Sequence, residues 1–171
     1  MSIEGTGLEI TPARFDSEVA RALISALDAD LDERYAADDA LEGEPDHAML
    51  NVLTADVSPP RGVFLVARIA GEPVACGALR PAPTGADGAA EVKRMYVVPS
   101  ARGRGISRRM LAALEAQAVE LGYRSIVLET GLRQQEAMAL YESAGYAPIA
   151  NYGGYRDSSL SRCYAKALAS R

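Results

Sequence analysis

The chain has 171 residues, of which 49% are hydrophobic and 24% are charged, and its formal net charge is −5. This length and composition predict one globular domain over residues 1–171. The acidic balance argues against a nucleic-acid partner, because binding to a phosphate backbone needs a basic face. No apolar run approaches 18 residues and no secretory signal pattern is present, so we expect a cytoplasmic protein that does not cross a membrane.

The N-terminal part of the chain predicts a strand, a helix and then a long irregular segment. Leu8–Thr11 alternates between apolar and polar residues and predicts an edge strand. Asp16 or Ser17 is expected to cap the helix that follows, whose leucines recur every four residues. Ala37–Pro60 is irregular and acidic, with a short second helix possible near Met49–Leu53.

The rest of the chain predicts alternating strands and helices. A hairpin precedes a central strand, and a helix then connects that strand to the next one, so these two strands should be parallel. The predicted strands are Val63–Ile69, Val74–Leu79, Val92–Val98, Ser125–Thr130, Tyr146–Ile149 and Ser161–Leu168, and the helices are Ile106–Leu121 and Gln134–Ala144. We therefore expect an α/β fold of the α+β type, with a mixed, mostly antiparallel sheet of six to seven strands flanked by about four helices.

Metal and thiol chemistry find little support in the sequence. Cys76 and Cys163 lie in strand-like segments, and their spacing matches no metal-binding pattern, so no metal is expected. Neither cysteine has a histidine partner for nucleophilic catalysis, and both are interpreted as reduced, mostly buried thiols of a cytoplasmic protein. His47, the single histidine, lies in the acidic segment and is interpreted as a loop residue.

A basic, glycine-rich loop joins the central strand to the long helix. Gly103 and Gly105 allow the backbone to approach a ligand closely, and Arg102 and Arg104 add positive charge. The first turn of the helix supplies unpaired N–H groups and the positive end of its dipole. The combination predicts a site for a phosphate or pyrophosphate.

Three phosphate-binding patterns can be compared with this loop. It is not a Walker A sequence, because no Gly-Lys-Ser/Thr closes it, and it is not a Rossmann fingerprint, because Arg108 stands where the third glycine belongs. It resembles the acyl-CoA pyrophosphate loop of the GNAT family of N-acetyltransferases, Gln/Arg-x-x-Gly-x-Gly/Ala, with Arg102, Gly105 and Ser107 at the three fixed positions. Ser107 departs from the pattern, but it is small and its hydroxyl could bind a phosphate oxygen or cap the helix.

A second segment resembles the same family. Residues 136–146, EAMALYESAGY, are similar to its Leu-Tyr-x-x-x-Gly-Phe/Tyr motif, with Leu140, Tyr141, Gly145 and Tyr146 in place. The family's preceding Asn position is occupied by Gln134, which could substitute for it. The two motifs stand at the family's usual separation. The resemblance implies a GNAT-like fold, acetyl-CoA as donor and a primary amine as acceptor.

The resemblance also implies which residues bind coenzyme A. The pyrophosphate would be held by the backbone and arginines of the loop, and the peptide-like pantetheine arm would pair with the exposed edge of the central strand, as in strand addition. The implied residues are Met95, Tyr96, Val97, Arg102, Gly103, Arg104, Gly105, Ile106, Ser107, Gln134 and Tyr141.

The implied reaction is direct attack of the amine on the thioester within a ternary complex. An amine with a pKa near ~10 is mostly protonated at neutral pH, so a base must accept its proton. Glu91, at the start of the central strand, is the first candidate, and Glu129, at the end of the neighbouring strand, is the alternative. Tyr141 occupies the family's position for the general acid that protonates the leaving thiolate. A backbone N–H such as that of Met95 would polarise the carbonyl.

Cations and tyrosines are expected around the acceptor. Together they would suit a small acceptor that carries a carboxylate, such as an amino acid, unless they are exposed or paired with acidic side chains. The predicted acceptor contacts are Arg34, Tyr35, Arg80, Arg94, Tyr152 and Tyr155, and Lys93 and Arg156 are further cations of the same segments. A protein N-terminus or lysine as acceptor, and an acyl-CoA-binding sensor without turnover, remain alternatives. The chain could be a monomer or a homodimer.

Overall fold

The computed structural model describes residues 7–36, 52–84 and 87–169, and its backbone is built around one seven-stranded sheet. The strands are β1 (Leu8–Pro12), β2 (Val63–Ile69), β3 (Glu72–Pro81), β4 (Ala89–Val97), β5 (Ser125–Gly131), β6 (Ala147–Ile149) and β7 (Ser161–Ala167). The helices are α1 (Glu18–Tyr35), α2 (Ile106–Glu120) and α3 (Gln135–Ser143), with short 3-10 helices at Pro99–Ala101 and Gly153–Tyr155. This is the mixed fold with a mostly antiparallel sheet that the sequence predicts.

The sheet order is β1-β2-β3-β4-β5-β7-β6, and every neighbouring pair is antiparallel except β4 and β5. The parallel pair confirms the prediction from the helical connection α2. Its ladder runs from Ala89 opposite Ser125 to Val92 opposite Leu128. Both strands continue beyond this point, which leaves their facing edges available to a ligand.

Helix α1 packs on one face of the sheet. Ser17 caps it, since its hydroxyl accepts a hydrogen bond from the N–H of Ala20 at 3.3 Å, whereas Asp16 binds Arg14. The buried side chains of the helix are Ala20, Leu23 and Leu27, and they share a core cluster with Phe64, Val66, Cys76, Ala78 and Tyr96. Burial of this apolar stripe fixes the helix across β2, β3 and β4.

Helices α2 and α3 cover the opposite face. The buried stripe of α2 is Ile106, Met110, Leu111, Leu114 and Ala118, and it packs on the sheet together with Tyr141 from α3. Gly77 of β3 permits the close approach, because a Cβ at this position would lie 2.8 Å from the Leu114 side chain. The sheet is therefore enclosed between α1 on one side and the other two helices on the other.

Strand β4 contains a bulge that bends it over the opening between β4 and β5. Cys76 pairs with Tyr96 but Ala78 pairs with Lys93, so β4 has one more residue than β3 across this interval. Arg94 lies within the bulge and has a left-handed backbone conformation, with φ of 55°. The bulge changes the direction of the side chains that follow it, and they include the residues expected to contact the donor.

Several details differ from the sequence predictions, including the start of β4 at Ala89 instead of Val92. Strand β3 starts at Glu72, so the hairpin turn shrinks to Ala70 and Gly71, both of which have positive φ. The short helix expected near Met49–Leu53 lies mostly outside the described residues, and Val52 and Leu53 are not helical. The described parts of the chain thus contain three α-helices rather than about four.

His47 lies outside the described residues. No helix within the described residues combines the length and apolar character needed to cross a membrane.

Candidate active site

Two cavities meet where β4 and β5 separate. The first has a volume of about 410 Å³ and the second of about 450 Å³. Four residues line both of them: Leu27, Met95, Gln134 and Tyr141. An arrangement of two cavities with a shared wall can hold two substrates with their reacting groups close together.

The first cavity collects the residues that the sequence assigns to coenzyme A. Along its length it is lined by Met95, Tyr96 and Val97 of β4, and the glycine-rich loop closes one end. Gln134 and Tyr141 form the wall toward α3. Of the predicted donor contacts, Arg104 alone is missing from the lining, and its side chain is exposed.

The glycine-rich loop leads directly into α2. Gly103 and Gly105 have φ of 74° and 73°, a conformation that favours glycine, and a Cβ built on either would meet no atom within 4 Å. The space in front of the loop is thus open to a ligand. Gly105 is the N-cap residue and Ser107 lies within the first turn, so the expectation that Ser107 caps α2 is not met.

Arg102 is fixed at the mouth of the first cavity. Its Nε donates to the carbonyl oxygen of Val97 at 3.0 Å, and its Nη2 contacts Asp30 of α1 at 2.8 Å. The guanidinium lies 5.8 Å from the centroid of the Tyr96 ring. These contacts hold the arginine beside the strand edge, so its charge is directed along the wall where a phosphate chain would lie.

Asp30 joins Arg102 to a second arginine. Arg34 Nε donates to Asp30 at 2.9 Å, and Arg34 also contacts Glu136 of α3. Burial alone would raise the pKa of Asp30, but the hydrogen bonds from Arg102 and Arg34 hold it below its usual range. Arg34 lines the first cavity and not the second. Its position therefore differs from that of the acceptor contact that the sequence predicts.

The second cavity lies between α1, the open ends of β4 and β5, and the segment before β7. Its lining carries charges of both signs. The charged and hydroxyl-bearing residues are Asp28, Asp32, Lys93, Arg94, Glu129, Thr130, Tyr141 and Tyr155. Arg94 contacts Asp28 through its Nη1 at 3.1 Å, so one cation of the cavity is already ion-paired with α1.

The charges of Lys93 and Glu129 interact across the opening between β4 and β5. Lys93 Nζ donates to the Tyr155 hydroxyl at 2.5 Å and lies 5.1 Å from the centroid of that ring. Burial lowers the pKa of Lys93, while the charges of Glu91 and Glu129 oppose this effect. Burial raises the pKa of Glu129, while Ser161 and Lys93 oppose that shift. A carboxyl group with a raised pKa that lines a cavity is a candidate for proton transfer.

Glu91, the first candidate for the base, has a different environment. It is fully buried, its Oε2 is 2.7 Å from Arg80 Nε, and its Oε1 accepts a hydrogen bond from the Tyr152 hydroxyl at 2.8 Å. Because β4 begins at Ala89, Glu91 lies inside the sheet, opposite Arg80 on one side and Val127 on the other. Glu91 and its two partners line neither cavity.

Tyr35, another predicted acceptor contact, also lies outside both cavities. Its hydroxyl accepts a hydrogen bond from the N–H of Arg133 at 3.3 Å and packs over Gly131, where a Cβ would collide with it. Of the predicted acceptor contacts, Arg94 and Tyr155 line the second cavity. The sequence could not separate these positions, because all of them carry cations or tyrosines at the ends of elements.

Tyr141 stands at the junction of the two cavities. It is 6% exposed and packs against the rings of Tyr146 and Tyr164, at centroid distances of 5.8 and 6.1 Å. Burial raises its pKa, with the charge of Glu129 adding to the effect. The hydroxyl therefore keeps its proton throughout the neutral range and can donate it.

The two thiols are buried and free. Burial raises the pKa of Cys76 to about 12 and that of Cys163 to about 11. Since the thiolate is the nucleophilic form, neither cysteine is prepared for an acyl-enzyme route. Neither cysteine lines either of the two cavities.

Four charged lining residues were not among the predicted contacts: Asp30 and Glu136 line the first cavity, and Asp28 and Asp32 line the second. Lys93, which the sequence offered only as a further cation, lines the second cavity. Its sequence signal is its place beside Arg94 in VKRMYVV, where two charges interrupt a run of mostly apolar residues. Asp30 and Glu136 have no such signal, because a carboxylate on an amphipathic helix is usually a solvated one.

Comparison with known proteins agrees with this geometry. Residues 21–146 match the sequence model of the acetyltransferase (GNAT) family. An IAA acetyltransferase from Azospirillum brasilense is 39% identical over 146 residues, which are 85% of this chain and 88% of that protein. A structure from Klebsiella pneumoniae assigned as an acyl-CoA N-acyltransferase is 31% identical, with a TM-score of 0.73 over 95% of this chain and 98% of that one.

A GNAT family acetyltransferase from Elizabethkingia anophelis, solved with acetyl-CoA bound, has the same fold. It is 16% identical, and the alignment covers 95% of this chain and 99% of that one with a TM-score of 0.65. The family motifs, the sheet that opens between β4 and β5, and these relatives lead to one conclusion. The chain belongs to the GNAT acetyltransferase family and is an acyl-CoA-dependent acetyltransferase.

Proposed function

We propose that the protein transfers the acetyl group of acetyl-CoA to the primary amine of a small acceptor that carries a carboxylate, by direct attack within a ternary complex. The observation that carries this proposal is the junction of two cavities at Tyr141. One cavity is lined by the residues expected to hold coenzyme A, and the other by three carboxylates and two cations. The structure of the Elizabethkingia relative with acetyl-CoA bound supports the choice of donor.

The first cavity fits the chemical groups of the donor. Main-chain N–H groups at the start of α2, the helix dipole and Arg102 can bind the pyrophosphate. The edge of β4 at Met95–Val97 faces the cavity and offers main-chain groups to the amides of the pantetheine arm. The same strand supplies the N–H of Met95, at the bulge, to polarise the thioester carbonyl.

We assign the general base to Glu129 rather than Glu91. Glu129 lines the acceptor cavity, is only partly buried and has a raised pKa. Glu91 is enclosed by Arg80 and Tyr152 and cannot reach an amine in that cavity without breaking both contacts. Glu129 would accept the ammonium proton directly or through a water molecule, and the free amine would then attack.

We assign the general acid to Tyr141. Its hydroxyl stays protonated because burial raises its pKa, and it lies between the donor and acceptor cavities. As the C–S bond breaks, the hydroxyl would give its proton to the thiolate of coenzyme A.

A small acceptor is favoured over a peptide because the second cavity, of about 450 Å³, is walled by α1, β5 and Tyr155. The free, buried cysteines support a reducing compartment, and we propose the cytoplasm.

The deciding experiment follows thiol release from acetyl-CoA with a panel of amines and peptides. Tyr141→Phe should lower kcat about 100-fold while acetyl-CoA binding stays unchanged, since it removes the proton donor and keeps the ring. Glu129→Gln should lower kcat/KM by a similar factor and abolish its fall at acidic pH. That fall is expected in the wild type as Glu129 becomes protonated below its raised pKa.

Three results would each contradict a different part of this proposal. Tight binding of acetyl-CoA with no thiol release for any acceptor, and no change in Tyr141→Phe, would favour an acyl-CoA sensor. Loss of activity in Glu91→Gln together with full activity in Glu129→Gln would return the base to Glu91. Faster release with peptides than with small amines would support the peptide acceptor.

A further inference from the structure

The acceptor cavity contains a lysine that the proposed acid–base chemistry does not use. Lys93 follows Val92, the last residue of β4 that pairs with β5, and Glu129 follows Leu128, the last residue of β5 in that ladder. In a parallel pair these positions are neighbours, and successive side chains alternate between faces. Lys93 and Glu129 therefore start from adjacent positions on the same face, at the floor of the cavity.

The lysine is held in place by a chain of contacts that begins deep in the sheet. The Tyr152 hydroxyl donates to Glu91, which is ion-paired with Arg80. The ring of Tyr152 packs edge-on against the ring of Tyr155, at a centroid distance of 6.0 Å. Tyr155 in turn accepts the hydrogen bond from Lys93 at 2.5 Å. Lys93 is half-buried, so its ammonium is partly desolvated, and its hydrogen-bond partner is a neutral hydroxyl. The fold thus keeps a positive charge in the cavity that a ligand anion can neutralise.

Arg94 is less suited to the same task. Its guanidinium is already in contact with Asp28 at 3.1 Å, on the α1 side of the cavity. Arg94 thus already has an ion-pair partner, whereas the hydrogen-bond partner of Lys93 is a hydroxyl. The ammonium of Lys93 lies instead beside the proposed base, where a ligand with an amine and a carboxylate a few bonds apart can reach both groups.

We propose that Lys93 is a specificity-determining residue that binds the carboxylate of the acceptor while Glu129 receives the proton of its amine. This proposal rests on the proposed acetyl transfer and names its substrate class more closely. The acceptor is an amino acid or a similar metabolite in which the carboxylate and the amine are close neighbours. A two-point contact of this kind would orient the amine toward the thioester at the junction marked by Tyr141.

The charge of Lys93 sets a pH dependence with a defined sign. The groups that face it from the surrounding elements are Glu91, Arg94, Arg80, Glu129, Tyr155, Asp28, Asp32, Tyr141 and Cys163. Its pKa is lowered by burial. Binding of a carboxylate requires the ammonium form, so KM for anionic acceptors should stay low below this pKa and rise as the pH increases through it.

The test compares L-amino acids with their carboxamides, which keep the amine and lose the negative charge. The wild type should prefer the acids. Lys93→Met should raise KM for the acids about 10- to 100-fold, the usual effect of losing a charge-assisted hydrogen bond, and change kcat and the values for the carboxamides less than threefold. Lys93→Arg should restore part of the affinity, and Arg156→Met, which removes an exposed cation next to Tyr155, should behave as wild type.

A second variant keeps the proposal falsifiable if Lys93→Met folds poorly. Tyr155→Phe removes only the hydroxyl that accepts from Lys93, so the rise of KM for the acids should move to lower pH. Equal rates with acids and carboxamides in the wild type, or an equal loss for both in Lys93→Met, would overturn the proposal and leave acetyl transfer intact. Absence of thiol release with every amine would instead contradict the proposed function.

Discussion

Glu91 and Glu129 show how two carboxylates on the same face of neighbouring strands acquire different environments. Each belongs to a strand with mostly apolar neighbours, so sequence alone offers both as bases. Register separates them: Glu91 lies within the paired part of β4 opposite Arg80 and Val127, whereas Glu129 lies just past the last β4–β5 pair. The first is therefore enclosed and the second reaches a cavity.

The enclosure of Glu91 leads to a stability prediction. Glu91→Ala would leave Arg80 and the Tyr152 hydroxyl buried without this carboxylate, so we expect the free energy of unfolding to fall by about 3–5 kcal/mol. Urea denaturation at neutral pH measures it. Glu91→Gln should cost less because the amide oxygen can still accept from Tyr152. Glu72→Ala, at an exposed position, is the control, and an equal effect there would contradict the assignment.

At the scale of elements, the bulge in β4 and the position of α1 shape the site. The bulge at Arg94 lies between Lys93, which lines the second cavity, and Met95–Val97, which line the first. Helix α1 contributes walls to both cavities, through Asp30 and Arg34 on one side and Asp28 on the other. Anything that loosens α1 should therefore affect both substrates.

The N-cap of α1 can be tested directly. Ser17→Ala removes the acceptor for the Ala20 N–H and should lower the free energy of unfolding by about 1 kcal/mol. The midpoint of urea unfolding at constant m-value reports this loss. Ser25→Ala, on the exposed side of the same helix, is the matched control and should leave stability equal or slightly higher. A similar loss for both serines would show that the cap contributes nothing.

At the scale of the whole molecule, Asp30 connects three parts of the fold. It links α1 to the glycine-rich loop through Arg102, and it is linked to Glu136 of α3 through Arg34. The connections cross the mouth of the first cavity. They hold α1 against both walls of the proposed donor site, so their strength should depend on the charge of Asp30.

Asp30→Asn should lower the free energy of unfolding at pH 7 by about 1 kcal/mol. Because the pKa of Asp30 is below its usual range in the folded state, its contribution is full above the unfolded pKa and disappears as the pH falls through the folded one. The difference between wild type and variant should therefore shrink between about pH 5 and pH 2. Urea unfolding across this range tests it, with the exposed Asp157→Asn as control. A difference that did not change with pH would contradict the role of the charge.

Local patterns were sufficient for much of the fold. The apolar stripes of α1 and α2, the cap at Ser17 and the crossover that makes β4 and β5 parallel follow from neighbouring residues. The glycine-rich loop before α2 was also predictable, since two closely spaced glycines favour the positive φ that Gly103 and Gly105 adopt. Such features depend on interactions within one element or between an element and the next, and the order of residues specifies those.

The acceptor side depended on long-range packing. The sequence shows that Glu91, Lys93, Glu129 and Tyr155 exist, but their environments are set by strand register and by the segment that folds back from β6 to β7. Burial, ion pairing and access to a cavity are properties of residues far apart in the chain. Order along the chain therefore determined the family, the sheet and the glycine-rich loop, whereas three-dimensional packing decided which carboxylate is enclosed, which lines the second cavity, and which cation lines it as well.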